Sequence, residues 1–154
     1  MDRREFAALV PALLAFGSLN VAEAEGQDVG VKKTAALPVL VSGVYPPGAP
    51  HSANIVPQRV SRSYVTGMLT AGNVRLEMHE TMQEPGAPHE PVGTHVHNEL
   101  WLVREGTVEL TTNGVARRMV AGDVGICVAG DQHFIRNVGD TRATYFVVTI
   151  GPRE

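Results

Sequence analysis

From Tyr64 onward the chain is a succession of short β-type runs cut by turn residues at close, regular intervals, and that rhythm leaves few folds open. Val74 to Met82 alternates with the period of a strand: Val74, Leu76 and Met78 share one face, and Arg75, Glu77 and His79 share the other. Thr107–Thr112 and Val115–Val120 flank Asn113-Gly114, the strongest short hairpin signal. Further runs are expected at Tyr64–Leu69, Leu100–Val103, Val124–Val128 and Ala143–Ile150, with turns at Ala71-Gly72-Asn73, Ala121-Gly122-Asp123, Ala129-Gly130-Asp131 and Asn137–Thr141. Gly106, Gly122 and Gly130 fit turns that need positive φ, and Asn137 is placed to tie its turn with a side-chain hydrogen bond. Short strands with so many turns and no helical period make an all-β sandwich or closed barrel, which manages its sheet edges by closing or by dimerising. A homodimer is therefore expected. Met68, Met78, Met82 and Met119 are expected as core filler, and of Leu100 and Trp101 one faces the core and the other a second subunit.

The first residues follow a different logic. Met1-Asp2-Arg3-Arg4-Glu5-Phe6 leads into an apolar run to Leu19 and then Ala22-Glu23-Ala24, the layout of an export signal. Arg3-Arg4 with Phe6 resembles a twin-arginine signal, and Pro11 and Gly17 interrupt a run already short for a membrane span. Residues 1–24 are thus expected to be removed, leaving an exported periplasmic or extracellular protein with no membrane attachment. Residues 25–63, rich in Gly and Pro, read as an irregular N-terminal arm with a short strand at Val39–Val41 and Val44, and residues 64–154 as the barrel. After the cut 11 basic and 13 acidic residues remain, with no basic patch, which excludes a nucleic-acid partner. Cys127 is the only cysteine, so no internal disulfide forms; its apolar surroundings mark a buried thiol rather than a nucleophile.

Chemistry concentrates in Gly93-Thr94-His95-Val96-His97-Asn98-Glu99, answered by His133. If the first stretch is a strand, residues 95, 97 and 99 point the same way, and His133 closes the group from elsewhere. Imidazoles with one carboxylate are ligands for divalent iron, manganese or nickel, with zinc or copper as further options. His51 and His89 read as solvated, and His79 as a solvent face or pocket wall.

Two segments resemble the paired motifs of the cupin superfamily. In the first, two histidines precede a glutamate that is followed seven places later by a glycine, as His95, His97, Glu99 and Gly106 are here. In the second, Gly122, Gly130, His133 and Asn137 keep the family's spacing, with Val128 where proline is usual. The resemblance covers residues 74 to 150 and implies a single jelly-roll barrel with a metal inside its open end. One departure affects the ligands. A single residue separates His97 from Glu99 where cupins have three or four, so the usual slots fall on His95 and Gly93, and Gly93 cannot bind. Either His95, His97, Glu99 and His133 form the set, or His95, Glu99 and His133 bind with His89 or water completing it.

Two functions follow. The first is an oxidoreductase- or isomerase-type enzyme acting on a small molecule, with Glu99 binding metal or accepting a proton. The second is a non-catalytic module that holds a metal or small ligand. A twin-arginine route, which carries folded proteins, would let the site load before it meets competing copper and zinc.

Overall fold

The computed structural model describes residues 36–52 and 56–152; the expected signal, its cleavage point and the start of the arm lie outside them. The strands are β1 (His51–Ser52), β2 (Arg59–Leu69), β3 (Val74–Gln83), β4 (Asn98–Glu105), β5 (Thr107–Thr112), β6 (Val115–Val120), β7 (Val124–Cys127), β8 (His133–Asn137) and β9 (Ala143–Gly151). They form a six-stranded sheet ordered β1-β2-β3-β9-β4-β7 and a three-stranded sheet ordered β6-β5-β8. All paired strands run antiparallel, and the two sheets make a jelly-roll barrel. At the β5–β6 hairpin Asn113 and Gly114 both take positive φ, 49° and 78°, the conformation a two-residue turn requires. Gly106, Gly122 and Gly130 also have positive φ. Asn137 does more than tie its own turn: its Nδ2 donates to the carbonyls of Thr141 at 2.8 Å and Gln83 at 2.9 Å, joining that turn to the end of β3.

Between the sheets lies a core of Trp101, Val103, Val108, Leu110, Met119, Cys127, Ile135, Ala143, Tyr145 and Val147. Trp101 faces this core, and Leu100 faces outward. Cys127 is buried as expected, and burial, with Asp131 and Glu99 adding, pushes its thiol up to about 11. Of the four methionines expected inside, only Met119 is buried. The reason is that β3 is turned the other way from what its hydrophobicity implies. His79 pairs with Val147 and Thr81 with Tyr145, so the Arg75, Glu77 and His79 face continues into buried Thr81 and Gln83 inside the barrel. Leu76, Met78 and Met82 lie on the outer face. A barrel that lines a polar cavity reverses the usual alternation.

β2 starts at Arg59, ahead of Tyr64, because Arg59-Val60-Ser61-Arg62-Ser63 has no apolar alternation to announce it. An irregularity between Ser63 and Val65 then shifts its parity. The strand expected near Val39 reduces to a single parallel bridge from Val39 to Met68, with Leu40 N donating to Met68 O at 2.9 Å and Met68 N to Pro38 O at 2.8 Å. With Gly48 N on Ser63 O and β1 on β2, the described part of the arm runs along the edge of β2 and shields it.

Among the described residues, the outer face carries one buried carboxylate. Glu80, 1 % exposed, lies 2.8 Å from Arg104 Nη1 and 3.4 Å from Arg62 Nε, and both arginines reach solvent. Removing the carboxylate leaves two solvated cations; removing both cations leaves an unpaired buried anion. Glu80→Gln should therefore cost about 1 kcal/mol, and Arg62→Met with Arg104→Met about 3 kcal/mol. Urea unfolding of the variants measures both, and equal costs would refute the asymmetry.

Candidate metal centre

The four candidate ligands come from three places. His95 and His97 lie in the connection between β3 and β4, Glu99 is the second residue of β4, and His133 is the first of β8. The stretch 93–97 is not a strand, so alternation does not align these side chains; β4 begins only at Asn98. Backbone pairing aligns them instead. Gly93 N donates to His133 O at 2.8 Å and His133 N to Gly93 O at 3.0 Å, while Gly130 N donates to His95 O at 2.9 Å. The connection is thus clamped onto β8 and onto the turn before it.

Glu99 is the hub. Its Oε1 lies 3.2 Å from His97 Nε2 and its Oε2 lies 3.0 Å from His133 Nε2. The His95 ring stacks on that of His97 with centroids 4.5 Å apart and planes inclined by 12°, and its centroid is 5.3 Å from that of His133. One ligand atom from each of His95, His97 and Glu99 lies within 4.8 Å of the others. The structure therefore brings all four residues together, with His133 joined through Glu99. His89 packs tilted against Phe134 with centroids 4.3 Å apart, outside this cluster, and His51 is exposed on β1.

Burial pushes the Glu99 carboxyl up, but hydrogen bonds from His133 and His97 outweigh it and hold the group below the ordinary carboxylate range. The hydrogen bond with Glu99 raises His133 above the ordinary histidine range, against burial. On its other side His133 Nδ1 is 3.3 Å from Asp131 O and 3.2 Å from Cys127 Sγ. A carbonyl accepts only, so Asp131 O takes the Nδ1 proton, while Nε2 of the protonated ring donates to Glu99; once that second proton leaves, the Nε2 lone pair faces the cluster, the arrangement that orients a ligating histidine. Imidazole nitrogens and a carboxylate oxygen in one pocket, one ring braced from behind, fit a divalent transition metal.

A cavity of about 280 Å³ opens beside the cluster, with His95, Glu99 and His133 on its wall. His97 is not on that wall; it is buried, and its Cβ packs so closely on Gly151 that a Cβ there would lie 2.5 Å from it. His79 lines the cavity, as a pocket wall should, and its Nδ1 lies 3.7 Å from Glu77 Oε1. The wall also holds Arg59 and Glu90, which no sequence signal marked. A larger groove of about 470 Å³, between β6 and β7, contains no histidine and lies away from this chemistry.

Known proteins agree with this picture of fold and motif. Residues 79–149 match the family described as the Cupin domain. None of the curated proteins matches in sequence. Among solved structures, the chain resembles KdgF from Halomonas sp. (13 % identity, TM-score 0.61, covering 74 % of this chain and 97 % of that one). It also resembles the cupin domain of Cnp3 from Schizosaccharomyces pombe (17 % identity, TM-score 0.56, covering 68 % and 69 %). A third is a cupin-like protein from Thermotoga maritima (18 % identity, TM-score 0.56, covering 70 % and 80 %). At these identities the solved structures speak for the fold alone. The match from β3 to β9 takes in both spaced motifs and the barrel that carries them, and residues 79–149 are a cupin domain.

Proposed function

We propose that the chain is a metal-dependent cupin that holds one divalent transition metal on His95, His97, Glu99 and His133 and binds a small molecule in the adjoining cavity. The observation that carries this is Glu99, whose two oxygens each meet an imidazole nitrogen on the wall of a cavity. Carboxylate and imidazole together favour iron, manganese or nickel. Such a metal supplies Lewis-acid or redox chemistry to an oxygen-bearing substrate. The chain's own residues do the rest. Glu99 holds His133 in register, Asp131 O sets its tautomer, and Trp101 closes the apolar side of the cavity. We read it as an exported oxygenase- or isomerase-type enzyme. A non-catalytic binding module is favoured by one feature: the titratable groups on the wall away from the cluster are already engaged, His79 with Glu77 and Glu90 with Arg59.

Elemental analysis of the purified protein tests the metal directly. We expect near-stoichiometric metal, and loss of at least nine-tenths of it in Glu99→Ala and His133→Ala. His97→Ala separates the ligand sets: retention of metal there would reduce the site to His95, Glu99 and His133. A metal-free protein under every loading condition would defeat the proposal. Oxygen consumption dependent on an added substrate separates enzyme from binding module.

A further inference from the structure

We propose that the cavity takes a small monocarboxylic acid and that Arg59 receives its carboxylate, the other end of the molecule facing the His/Glu cluster. The inference rests on the metal reading above and names the ligand class of that site.

Arg59 is an unusual residue for its position. It opens β2 opposite Gln83, on the inward face, and its side chain is 9 % exposed. Its guanidinium lines the same cavity as His95, Glu99 and His133, and one end of it donates to Glu90. Burying a guanidinium in a barrel wall is costly even when paired, and one carboxylate cannot satisfy its five N–H donors. On the cavity wall, Arg59 Nε is buried and has no hydrogen-bond partner among the described residues. Buried polar groups are nearly always satisfied, so a buried donor left over on a cavity wall marks a place where an acceptor is received.

Charge and size narrow what that is. Arg59 contributes one positive charge, and Glu90 and Glu99 one negative charge each. A divalent ion on the cluster leaves the cavity with a net charge of about +1, which one carboxylate cancels. A cavity of about 280 Å³ is at the lower limit for small-molecule sites, so only a few carbons fit. Trp101 and Val147 supply the apolar wall for them. A guanidinium binds carboxylates through paired N–H donors, a geometry the ammonium of lysine does not reproduce. Glu90 has two effects here. It holds the guanidinium in place, and it competes with any incoming anion for the same donors.

The competing explanation is a latch: Arg59 and Glu90 tie β2 to the connection that carries His95, with no ligand involved. The two explanations differ in sign. Calorimetry on the full chain loaded with manganese, using glycolate, 3-hydroxypropionate and 4-hydroxybutyrate, each beside its primary amide, reads the preference for charge. At least one acid should bind roughly tenfold or more tighter than its amide. Arg59→Gln should erase that ratio, and Glu90→Gln should raise it by freeing the guanidinium. A ratio that survives Arg59→Gln, or one that falls in both variants, overturns the inference. Should Arg59→Gln fail to fold, the direction of the Glu90→Gln change decides alone. Metal content measured on the same samples keeps the two readings apart. A metal-loaded protein that ignores the carboxylate sinks this inference only, whereas an acid preference in a protein that takes no metal sinks the metal reading only.

Discussion

Gly93→Ala is expected to strip the metal from a protein that remains folded, although Gly93 donates no ligand. A Cβ at this position would lie 2.9 Å from His95 Nε2 and 3.4 Å from His133 Nε2, between the two imidazoles that face the cavity. The nearest atom is the far end of a side chain. His95 can swing away at little cost to the barrel, but in doing so it withdraws a ligand. We expect metal affinity to fall by about 100-fold, the upper end of what a displaced supporting group costs, with a far-ultraviolet spectrum like that of the parent. Gly93→Ala combined with His95→Ala should be no worse than His95→Ala alone, because both act through the same nitrogen. Gly151→Ala makes the informative contrast. There the new Cβ would meet His97 Cβ at 2.5 Å and its Cα at 2.6 Å, so backbone must move and stability falls. If Gly93→Ala kept its metal with unchanged affinity, His95 would have to leave the ligand set.

How far the sequence reaches into this structure depends on which interactions write themselves locally. The hairpin at Asn113-Gly114 and the strands around it are legible because turn geometry demands particular residues at particular places. Asn137 is legible for the same reason. The inward sense of β3 is not, since alternation reports two faces without saying which is inside, and here the polar face lines the cavity. β2 hides for a related cause: its inward residues Arg59 and Ser61 are polar, and the shift near Tyr64 breaks the period. Within the site, the sequence groups His95, His97 and Glu99 by alternation, and the structure brings them together for a different reason. They converge because Gly93 and His95 are hydrogen-bonded to His133 and Gly130 through their backbones, and not because a strand presents one face. Arg59 and Glu90 carry no signal at all. Arg59 meets the cluster only through sheet order, which places β2 two strands from β9 and β9 beside β4, and Glu90 arrives on the same connection as His95.

Protons and metal should oppose each other at His133, and the sign of each effect follows from the geometry. In the metal-free protein the Glu99 carboxylate raises His133 above its ordinary 6.5. That pairing contributes its full stability below pH 6.5 and loses it as pH rises through the raised value. Glu99 is held below its ordinary 4.5, so its contribution is complete above pH 4.5 and is lost as pH falls through the lowered value. The apo protein is therefore favoured by this pair between about pH 4.5 and 6.5, and its melting temperature should decline above that window. Metal binding runs the other way. It needs the Nε2 lone pair of His133, so it displaces the proton that Glu99 holds there, and affinity should fall by about tenfold per pH unit below the raised value. The thermal gain on adding manganese to chelator-treated protein should thus grow from pH 6 to pH 8 while the melting temperature of the apo protein shrinks. Cys127, pushed up to about 11, stays a neutral thiol throughout and does not confuse the measurement. Glu99→Gln should flatten the decline of the apo protein, since a neutral amide no longer raises His133. A metal-induced gain that is independent of pH over that range would mean that His133 is not the proton the metal displaces.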